Sequence, residues 1–364
     1  MKVALVCYFH PFSGIGKYPF NLFSVFRRQK KPVDMVYLET RHNRIEERQG
    51  ILKVKKDMKL IEINKTLLPY FYFPLKIPEG YGVYHATNQY LSRVALYRTP
   101  CVITHHDIRP IALAHDIKMR LVGLTLRYLL KFYRRAKEII AISNEAKQSL
   151  LDLKIVPKEK IHVVYHGYDD MIYRPVKKSV ARKKLGLPQD AKIVLNIGTE
   201  DPMRRVSLIL EAMKEIQKSE PDAMLVRVGG SMQSGGYWQA NEKLKREVNL
   251  KQMKNIPEEE MPYIYSAADV FVAPQAYNEG FSYPPLEAMA CGTPLMISNM
   301  KIFEKWAAPI SNNPRVLSEN ILKILNNSTL SQKLSKKSLR GAKHFSLEKE
   351  AQKTYEVYEM ASKQ

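Results

Sequence analysis

Cysteine is scarce in this sequence. Three of its 364 residues are cysteine, Cys7, Cys101 and Cys291, and no CxxC pair or Cys/His cluster with zinc-site spacing occurs. These features argue against a disulfide-stapled secreted scaffold and against a zinc-binding module. All three cysteines lie in segments with the pattern of strands or helices. We therefore expect reduced, structural thiols in a cytosolic protein.

Long apolar runs are also missing. No stretch approaches the roughly 18 uninterrupted apolar residues of a membrane-spanning helix. The N-terminal segment MKVALVCYFHPF has an apolar run too short for a signal peptide, and it predicts a buried strand. Hydrophobic residues still make up 45% of the chain, which supports folded cores and argues against disorder. At this length we expect two domains.

Acidic residues are few relative to basic ones. The chain has 36 Asp and Glu against 58 Lys and Arg, a formal net charge of +22. Residues 1–172 contain 29 basic and 15 acidic residues, and residues 173–364 contain 29 and 21. Such an excess favours polyanionic partners, which are nucleic acids, anionic lipid headgroups or phosphorylated substrates. The charge alone does not choose among them.

Short apolar runs rich in β-branched residues alternate with helical patterns. Because the runs lack strict alternation, they indicate parallel strands buried on both faces. The predicted strands are Lys2–Cys7, Val33–Leu38, Tyr81–Ala86, Cys101–Thr104, Glu138–Ile142 and Ile161–Tyr165, then Lys192–Ile197, Ala223–Val228, Asp269–Ala273 and Pro294–Ile297. Two successive sets predict two doubly wound α/β domains, with ligands at the carboxyl ends of the strands.

The most informative segment is residues 275–294, QAYNEGFSYPPLEAMACGTP. A predicted strand leads into a loop that carries Glu279 and turns at Gly280. Pro284 and Pro285 then favour a helix start, with Glu287 in about the first turn. The positive end of a helix dipole attracts anions. Two carboxylates eight residues apart therefore flank a predicted phosphate site, as a bound nucleotide-sugar would require.

The E-x7-E spacing and the surrounding EGFxxPPLEAMACGTP run resemble the retaining glycosyltransferases of family 4. That family has the GT-B fold, in which two Rossmann-like doubly wound domains face each other across a cleft. The resemblance implies an acceptor-side domain over residues 1–172 and a nucleotide-sugar domain over residues 173–344. It also implies that the segment 345–364 crosses back to the N-terminal domain as a helix.

The same resemblance assigns roles to the segment around Gly280. It implies that Glu279 binds hydroxyls of the transferred sugar and that Glu287 binds the ribose of the donor. The remaining residues expected to contact the donor here are Gly280, Phe281, Ser282 and Tyr283.

A second segment, Gly198–Arg205, follows a predicted strand. Asp201 suits a helix N-cap and Pro202 a first helical residue, which places Arg204 and Arg205 in the first turn. Cations oppose the helix dipole there unless an anion such as a diphosphate binds beside them. The resemblance implies that Gly198, Arg204 and Arg205 contact the donor diphosphate. Arg205 stands where the family usually has lysine.

Two further segments follow predicted strands in the N-terminal half. The resemblance implies that His106 contacts the transferred sugar and that Asp107 arranges the acceptor side, with His105 the weaker candidate. Phe12–Tyr18 resembles the family's glycine-rich loop. It implies diphosphate contacts from Gly14 and Gly16.

A predicted amphipathic helix spans Asp116–Lys137. One stripe is basic and consists of Arg120, Arg127, Lys131, Arg134 and Arg135. The remaining surface includes Leu121, Tyr128, Leu129, Phe132 and Tyr133. The stripe is explained either by a solvated helix face or by docking on anionic lipid.

We therefore predict a retaining glycosyltransferase that moves a hexose-type sugar from a nucleoside-diphosphate sugar to a glycan or lipid-linked acceptor at a membrane surface. The predicted catalytic residues are Glu279, His106, Asp107 and Arg204. No DxD motif occurs, so we expect no metal and no cofactor besides the donor. No recognised nucleic-acid-binding motif occurs either, so we expect no nucleic-acid partner. Two alternatives stay open. The first is a GT-B-fold sugar-nucleotide epimerase, which would turn over without an acceptor. The second is a basic nucleic-acid-binding protein, which the net charge suggests but no recognised motif in this sequence supports.

Overall fold

The structure is a computed structural model. It describes residues 1–11, 13–39, 50–55, 73–108, 111, 117–230, 236–277 and 280–363, and only the backbone of 54–55, 117–119 and 236–240. The chain forms two compact units: Met1–Gly167 with Leu347–Gln364, and Tyr168–Ser346. The boundary lies five residues before the predicted one, which was placed after residue 172.

The first unit contains a seven-stranded sheet whose strand pairs are all parallel. Its strands are β1 (Val3–Cys7), β2 (Val33–Glu39), β3 (Ile51–Lys55), β4 (Val83–Ala86), β5 (Cys101–His105), β6 (Glu138–Ala141) and β7 (Ile161–Val163). The spatial order is β3-β2-β1-β4-β5-β6-β7, so the direction of winding reverses between β1 and β4. In doubly wound sheets ligands bind at such a switch point, outside the carboxyl ends of the strands.

The described helices of this unit carry apolar faces that cover the sheet. They are α1 (Gly14–Arg28), α2 (Val94–Tyr97), α3 (Ile117–Leu130) and α4 (Asn144–Asp152), with 3₁₀ segments at Phe73–Lys76, Gln89–Leu91, Lys131–Arg135 and Lys158–Lys160. The three cysteines of the chain, Cys7, Cys101 and Cys291, are buried and form no disulfide, as predicted.

The last helix of the chain, Leu347–Lys363, belongs to the first unit. Its buried Leu347, Ala351 and Tyr358 share one core cluster with Leu5 of β1 and Phe26 of α1. The C-terminal segment therefore completes the core of the N-terminal unit.

The second unit contains a six-stranded sheet, also parallel throughout. Its strands are β8 (Ile193–Ile197), β9 (Met224–Val228), β10 (Leu250–Met253), β11 (Val270–Pro274), β12 (Leu295–Ser298) and β13 (Ala308–Pro309). The order is β10-β9-β8-β11-β12-β13, so the switch point lies between β8 and β11. The predicted α/β class with two doubly wound sheets is confirmed.

Helices connect the strands of this sheet. They are α5 (Lys178–Lys184), α6 (Val206–Ser219), α7 (Gly236–Lys245), α8 (Met261–Ala267), α9 (Tyr283–Ala290), α10 (Lys301–Glu304), α11 (Pro314–Leu325) and α12 (Ser328–Ala342), with 3₁₀ turns at Pro202–Arg204 and Glu258–Glu260. The last helix of the chain, Leu347–Lys363, is α13. Among the helices that the structure describes, none combines the length and the hydrophobicity of a transmembrane segment.

Candidate active site

The loop after β8 begins at Gly198, which packs against Gly229 of the loop after β9, and it contains a capped turn. Gly198 has φ +141°, and a Cβ on Gly229 would lie 2.1 Å from the carbonyl oxygen of Gly198, so only glycine fits at position 229. The Asp201 side chain accepts hydrogen bonds from the backbone N–H of Met203 at 2.9 Å and of Arg204 at 3.2 Å. These two hydrogen bonds close a tight turn that places Arg204 next to Gly198, the residue that follows β8.

Arg204 and Arg205 do not lie in the first turn of one helix, as predicted. Asp201 caps a separate 3₁₀ turn that begins at Pro202 and ends at Arg204. Arg205 then takes a left-handed conformation, φ 47°, and α6 begins at Val206. The left-handed residue turns the chain between the two elements, so the two arginines point into different surroundings.

Arg204 lies at the switch point of the second sheet. Its side chain passes over Gly198, where a Cβ would be 3.8 Å from Nε. With the Gln275 amide oriented to satisfy both ends, its oxygen accepts from Arg204 Nη1 at 2.5 Å and its nitrogen donates to Met203 O at 3.3 Å. The backbone N–H of Ala276 also donates to Met203 O, at 2.9 Å. The loops after β8 and β11 are thus tied together around the guanidinium.

Arg205 is engaged elsewhere. Its Nη1 donates to Asn312 Oδ1 at 2.7 Å. Of the two predicted diphosphate-binding arginines, Arg204 is therefore the one held at the strand ends.

The loop after β11 leads into α9 as the sequence predicted, with prolines at the helix start. Ser282 is the N-cap residue, although its side chain makes no capping bond, and α9 begins at Tyr283. The side chain of Phe281 packs against Phe303 at 5.2 Å and Phe345 at 5.9 Å between ring centroids. Phe281 thus anchors the loop through its ring, and its predicted contact with the donor stays a prediction. Glu279 lies outside the described residues.

Glu287 lies in the second turn of α9, not the first, because the helix starts at Tyr283. Its side chain is buried, at 4% exposure, and Tyr265 Oη donates to Glu287 Oε2 at 2.7 Å. Tyr265 is fully buried on α8, and burial followed by the charge of Glu287 raises the pKa of the phenol well above its usual range. The phenol therefore keeps its proton and fixes the direction of the carboxylate.

In the first unit, the start of α1 forms a compact cap. The Ser13 hydroxyl donates to His10 O at 2.8 Å and accepts from the N–H of Gly16 at 3.0 Å. A Cβ at Gly16 would lie 2.0 Å from His10 O, whereas one at Gly14 would meet nothing within 4 Å. Gly16 is required by packing, and its N–H is already used by the cap. The predicted diphosphate contacts of Gly14 and Gly16 both stay predictions.

His106 follows β5 directly and is buried. Its Nε2 donates to Thr87 O at 3.0 Å, and its backbone N–H donates to Gln89 Oε1 at 3.2 Å. Burial, followed by the nearby His166, lowers the pKa of His106 to about 4. At neutral pH the imidazole is therefore uncharged, and its bond to a carbonyl places the proton on Nε2.

His105 is a structural residue. It is the last residue of β5 and is fully buried, with Nδ1 3.1 Å from Tyr133 Oη and Nε2 3.3 Å from Ser149 Oγ. Asp107 is half-buried beside His106, and its carbonyl accepts from Gln89 Nε2 at 3.3 Å.

Two family models match the chain. One, described as Glycosyltransferase Family 4, matches residues 12–171, and the other, Glycosyl transferases group 1, matches residues 177–340. The chain belongs to the family 4 glycosyltransferases. Together the matched ranges contain the strand-end loops of both units, which carry the residues described above.

Relatives of this glycosyltransferase chain are partial matches. It is 29% identical to a D-inositol 3-phosphate glycosyltransferase from Thermobispora bispora over 174 residues, 45% of this chain and 40% of that protein. It is 27% identical to O-antigen chain mannosyltransferase B from Escherichia coli over 293 residues, 76% of this chain and 74% of that protein. The matches span 32 to 52% of the length of the first three curated relatives.

Solved structures of glycosyltransferases share the fold. Sucrose-phosphate synthase from Thermosynechococcus elongatus superposes with a TM-score of 0.80 at 20% identity, covering 98% of both chains. HepE from Anabaena in complex with UDP-glucose gives 0.77 at 16% identity, covering 100% of both chains. The predicted GT-B fold is confirmed.

A buried polar network behind His106 was not predicted. Thr104 Oγ1 lies 3.0 Å from Tyr18 Oη and 2.7 Å from His85 Nε2, and His85 Nδ1 lies 2.7 Å from Tyr358 Oη. The Tyr18 ring in turn packs edge-on against His106, at 5.5 Å between centroids. The network therefore links the glycosyltransferase's last helix to the predicted sugar-binding histidine.

A second buried contact joins α13 to the same region. His166 Nδ1 lies 2.7 Å from Glu350 Oε1, and Gly167 N–H donates to Glu350 Oε2 at 2.8 Å. The His166 ring packs 5.6 Å from that of His106. The sequence contains a pattern that could have predicted these contacts, since Glu350 interrupts the apolar stripe of the last helix and His85 interrupts an apolar strand. Isolated polar residues in such places indicate buried hydrogen-bonding partners.

Among the residues that the structure describes, no group of three or more His, Cys, Asp and Glu side chains is placed to hold a metal ion.

Proposed function

We propose that this protein transfers a hexose-type sugar, with retention of configuration, from a nucleoside-diphosphate sugar to a glycan or lipid-linked acceptor. The observation that carries the proposal is the position of Arg204. Its guanidinium is held over Gly198 and bonded to Gln275 where the second sheet switches direction. Ligands of doubly wound sheets bind at that place, and a guanidinium is well suited to a diphosphate.

The proposed chemistry is dominated by the leaving group. As the glycosidic bond breaks, negative charge grows on the diphosphate and positive charge on the sugar ring. Arg204 and the backbone N–H groups of Ser282 and Tyr283, which precede Pro284 and Pro285 at the start of α9, are proposed to stabilise the diphosphate, a preorganised electrostatic role. Because the guanidinium supplies this positive charge, the proposal includes no metal ion or other cofactor.

In the first unit, His106 is proposed to contact the transferred sugar. Neutral His106 is proposed to accept a hydrogen bond from a sugar hydroxyl at Nδ1, because its Nε2–H donates a hydrogen bond to Thr87 O. Asp107 is proposed to orient the acceptor, and Glu279 the hydroxyls of the transferred sugar. Glu287, held by Tyr265, is proposed to accept hydrogen bonds from the ribose.

Similar proteins support a nucleotide-sugar donor. HepE was solved with UDP-glucose, and one relative is a mannosyltransferase. A thermal-shift screen of UDP-, GDP- and ADP-sugars, followed by assay of nucleoside-diphosphate release, tests the proposal. We expect one nucleotide series to raise the melting temperature and release to depend on an added acceptor. No shift with any series would contradict the proposal.

The Tyr265→Phe variant separates ribose recognition from diphosphate recognition. Loss of the 2.7 Å bond frees the Glu287 carboxylate to rotate. We expect about a 10-fold loss of affinity for the nucleoside diphosphate, on the order of one hydrogen bond to a charged group. Inorganic pyrophosphate, which has no ribose, should bind the variant and the parent equally by calorimetry. Equal losses for both ligands would make Tyr265 a general structural residue.

The same proposal places the protein at an anionic membrane surface, supported by the exposed face of α3. The described part of the predicted helix Asp116–Lys137 is α3 followed by the 3₁₀ segment Lys131–Arg135. On its non-basic surface, Leu121 and Tyr128 are 57% and 42% exposed, while Leu129 and Tyr133 are buried. Leu124 is also 63% exposed. The apolar stripe Leu121–Leu124–Tyr128 lies beside exposed basic residues, Arg120, Arg127, Lys131, Arg134 and Arg135.

This mixed face matches an anionic lipid interface. Basic residues near such a surface contribute about 1 kcal/mol each, and apolar side chains enter the headgroup boundary. A merely solvated helix face would not expose three large apolar side chains in one stripe.

Vesicle flotation tests the docking face. Changing Arg120, Arg127 and Lys131 together to Ser should weaken binding to anionic vesicles roughly 10²-fold at low salt. Changing Leu121 and Leu124 to Ser should weaken binding with less dependence on salt. The matched control changes exposed Lys333, Lys336 and Arg340 of α12, a basic helix whose leucines are not exposed. If the control loses as much binding as the first variant, attraction is non-specific and the face has no special role.

A further inference from the structure

Three aromatic side chains meet at the switch point of the first sheet. Tyr8 and Phe9 follow β1, and Tyr90 follows β4, which is the neighbour of β1 where the winding reverses. The ring centroids lie 5.4 Å apart for Tyr8 and Phe9, and 6.2 Å apart for Phe9 and Tyr90. All three side chains are half-buried. This aromatic platform (Tyr8, Phe9 and Tyr90) therefore presents ring surface at the place where a doubly wound sheet binds its ligand.

The loop that carries Tyr90 is fixed on both sides. Thr87 Oγ1 donates to Val6 O of β1 at 2.8 Å. Asn88 Oδ1 accepts from the backbone N–H of Tyr90 at 3.0 Å. Gln89 accepts from His106 N–H and donates to Asp107 O. The same short segment thus positions the aromatic platform and the backbone of His106 and Asp107.

The chemistry of the platform selects its ligand. The three rings are uncharged at neutral pH, so they offer apolar surface rather than a site for phosphate. One face of a pyranose ring is a set of C–H groups, which pack favourably on an aromatic ring. Asp107 is held by the same loop, because Gln89 donates a hydrogen bond to its carbonyl. The buried Nδ2 of Asn88, which has no hydrogen-bond partner among the described residues, adds a donor in the same loop.

We propose that Tyr8, Phe9 and Tyr90 form a stacking site for a pyranose ring of the acceptor, beside His106 and Asp107. The inference rests on the proposed sugar transfer and specifies its acceptor: a glycan whose terminal sugar is a ring with one apolar face. An acyclic or purely anionic acceptor would gain nothing from this surface.

Saturation-transfer NMR tests the site directly. The probes are methyl β-glucoside, methyl α-mannoside and methyl β-galactoside, with sorbitol as an acyclic control of similar hydroxyl content. We expect saturation of the glycosides to be strongest for the C–H protons of one ring face, and weak for sorbitol. Equal saturation of glycosides and sorbitol would overturn the stacking site.

Variants localise the signal. Tyr90→Ala should lower glycoside binding about 10-fold, because ~50 Å² of buried apolar surface is lost. Tyr90→Phe keeps the ring and should bind like the parent. Tyr263→Ala removes a half-buried tyrosine ring on α8 of the second unit and is the matched control. An unchanged Tyr90→Ala variant, or an equal loss in Tyr263→Ala, would overturn the assignment.

Nucleotide binding distinguishes the two levels of inference. If nucleoside diphosphates stabilise the protein but glycosides show no face-selective saturation, the stacking site fails and the proposed transfer stands. If glycosides bind and no nucleotide does, the stacking site stands and the proposed transfer fails. If neither nucleotides nor glycosides bind, both the proposed transfer and the stacking site are wrong.

Discussion

Replacing Arg204 by alanine is expected to weaken nucleoside-diphosphate binding about 10- to 100-fold, and to slow sugar transfer by a larger factor. A charge-assisted hydrogen bond to phosphate contributes roughly 1.5–3 kcal/mol. The effect on transfer is larger because the leaving diphosphate gains charge as the bond breaks. Calorimetry with the nucleoside diphosphate and initial rates of its release measure the two effects separately.

Arg205→Ala is the matched control for Arg204. The two residues are adjacent and have the same charge, but the Arg205 guanidinium bonds Asn312 while that of Arg204 bonds Gln275. We expect the Arg205 variant to bind nucleotide within about twofold of the parent, as for most surface substitutions. Equal losses in the two variants would show that only local charge matters. No loss in Arg204→Ala would remove this residue from the site.

The first unit is expected to lose stability steeply below pH 6.5. Burial lowers the pKa of His85, His105 and His166 to about 3 and that of His106 to about 4. In the unfolded chain these residues take up protons from their ordinary pKa of 6.5 downward. Unfolding therefore binds protons, and stability falls as the pH decreases toward the folded-state values.

Glu350 opposes this trend. Burial raises its pKa well above 4.5, so between pH 4.5 and that value the native state holds a proton that the unfolded chain lacks. The four histidines less this one carboxyl give a net uptake of about three protons. The free energy of unfolding should then fall by about 4 kcal/mol per pH unit between about pH 6 and 4.5.

Hydrogen exchange followed by mass spectrometry measures the pH dependence of stability separately for each of the two units. The peptides of β4, β5 and β6 should lose protection over that pH range. In His85→Gln, the new amide can still bond Thr104 and Tyr358. The net number of protons taken up on unfolding, which sets the pH dependence of the free energy of unfolding, should be smaller by about one. Protection of these strands that does not vary between pH 6.5 and 5 would show that the buried histidines are not the source of acid lability.

All ten strands predicted from the sequence are present, and the three that were missed lie at sheet edges. They are β3, β10 and β13. β10 reads LKQM, with two polar residues among four, and β13 is two residues long. An edge strand is covered on fewer sides than a central one, so it does not need a continuous apolar run. Its presence depends on the neighbouring strand that it pairs with.

In the loops after β8 and β11, local features were likewise predicted from the sequence, whereas features that depend on distant residues were not. Asp201 and Pro202 predicted a capped turn after β8, and the prolines predicted the start of α9, because these signals act within a few residues. The sequence could not show that the turn at Asp201 is a separate 3₁₀ turn. It also could not show that Arg204 and Arg205 diverge, since that depends on the left-handed conformation of Arg205 and on partners in other loops.

The sequence by itself therefore determined the α/β class, the two sets of parallel strands, the family and the loops that carry the candidate site. Hydrophobic runs, caps and motifs are local and can be read along the chain. Only the tertiary structure decided which side chains meet: Tyr265 with Glu287, Gln275 with Arg204, and Glu350 with His166. These pairs join segments distant in the chain, and burial makes each polar group depend on its partner, which no local pattern specifies.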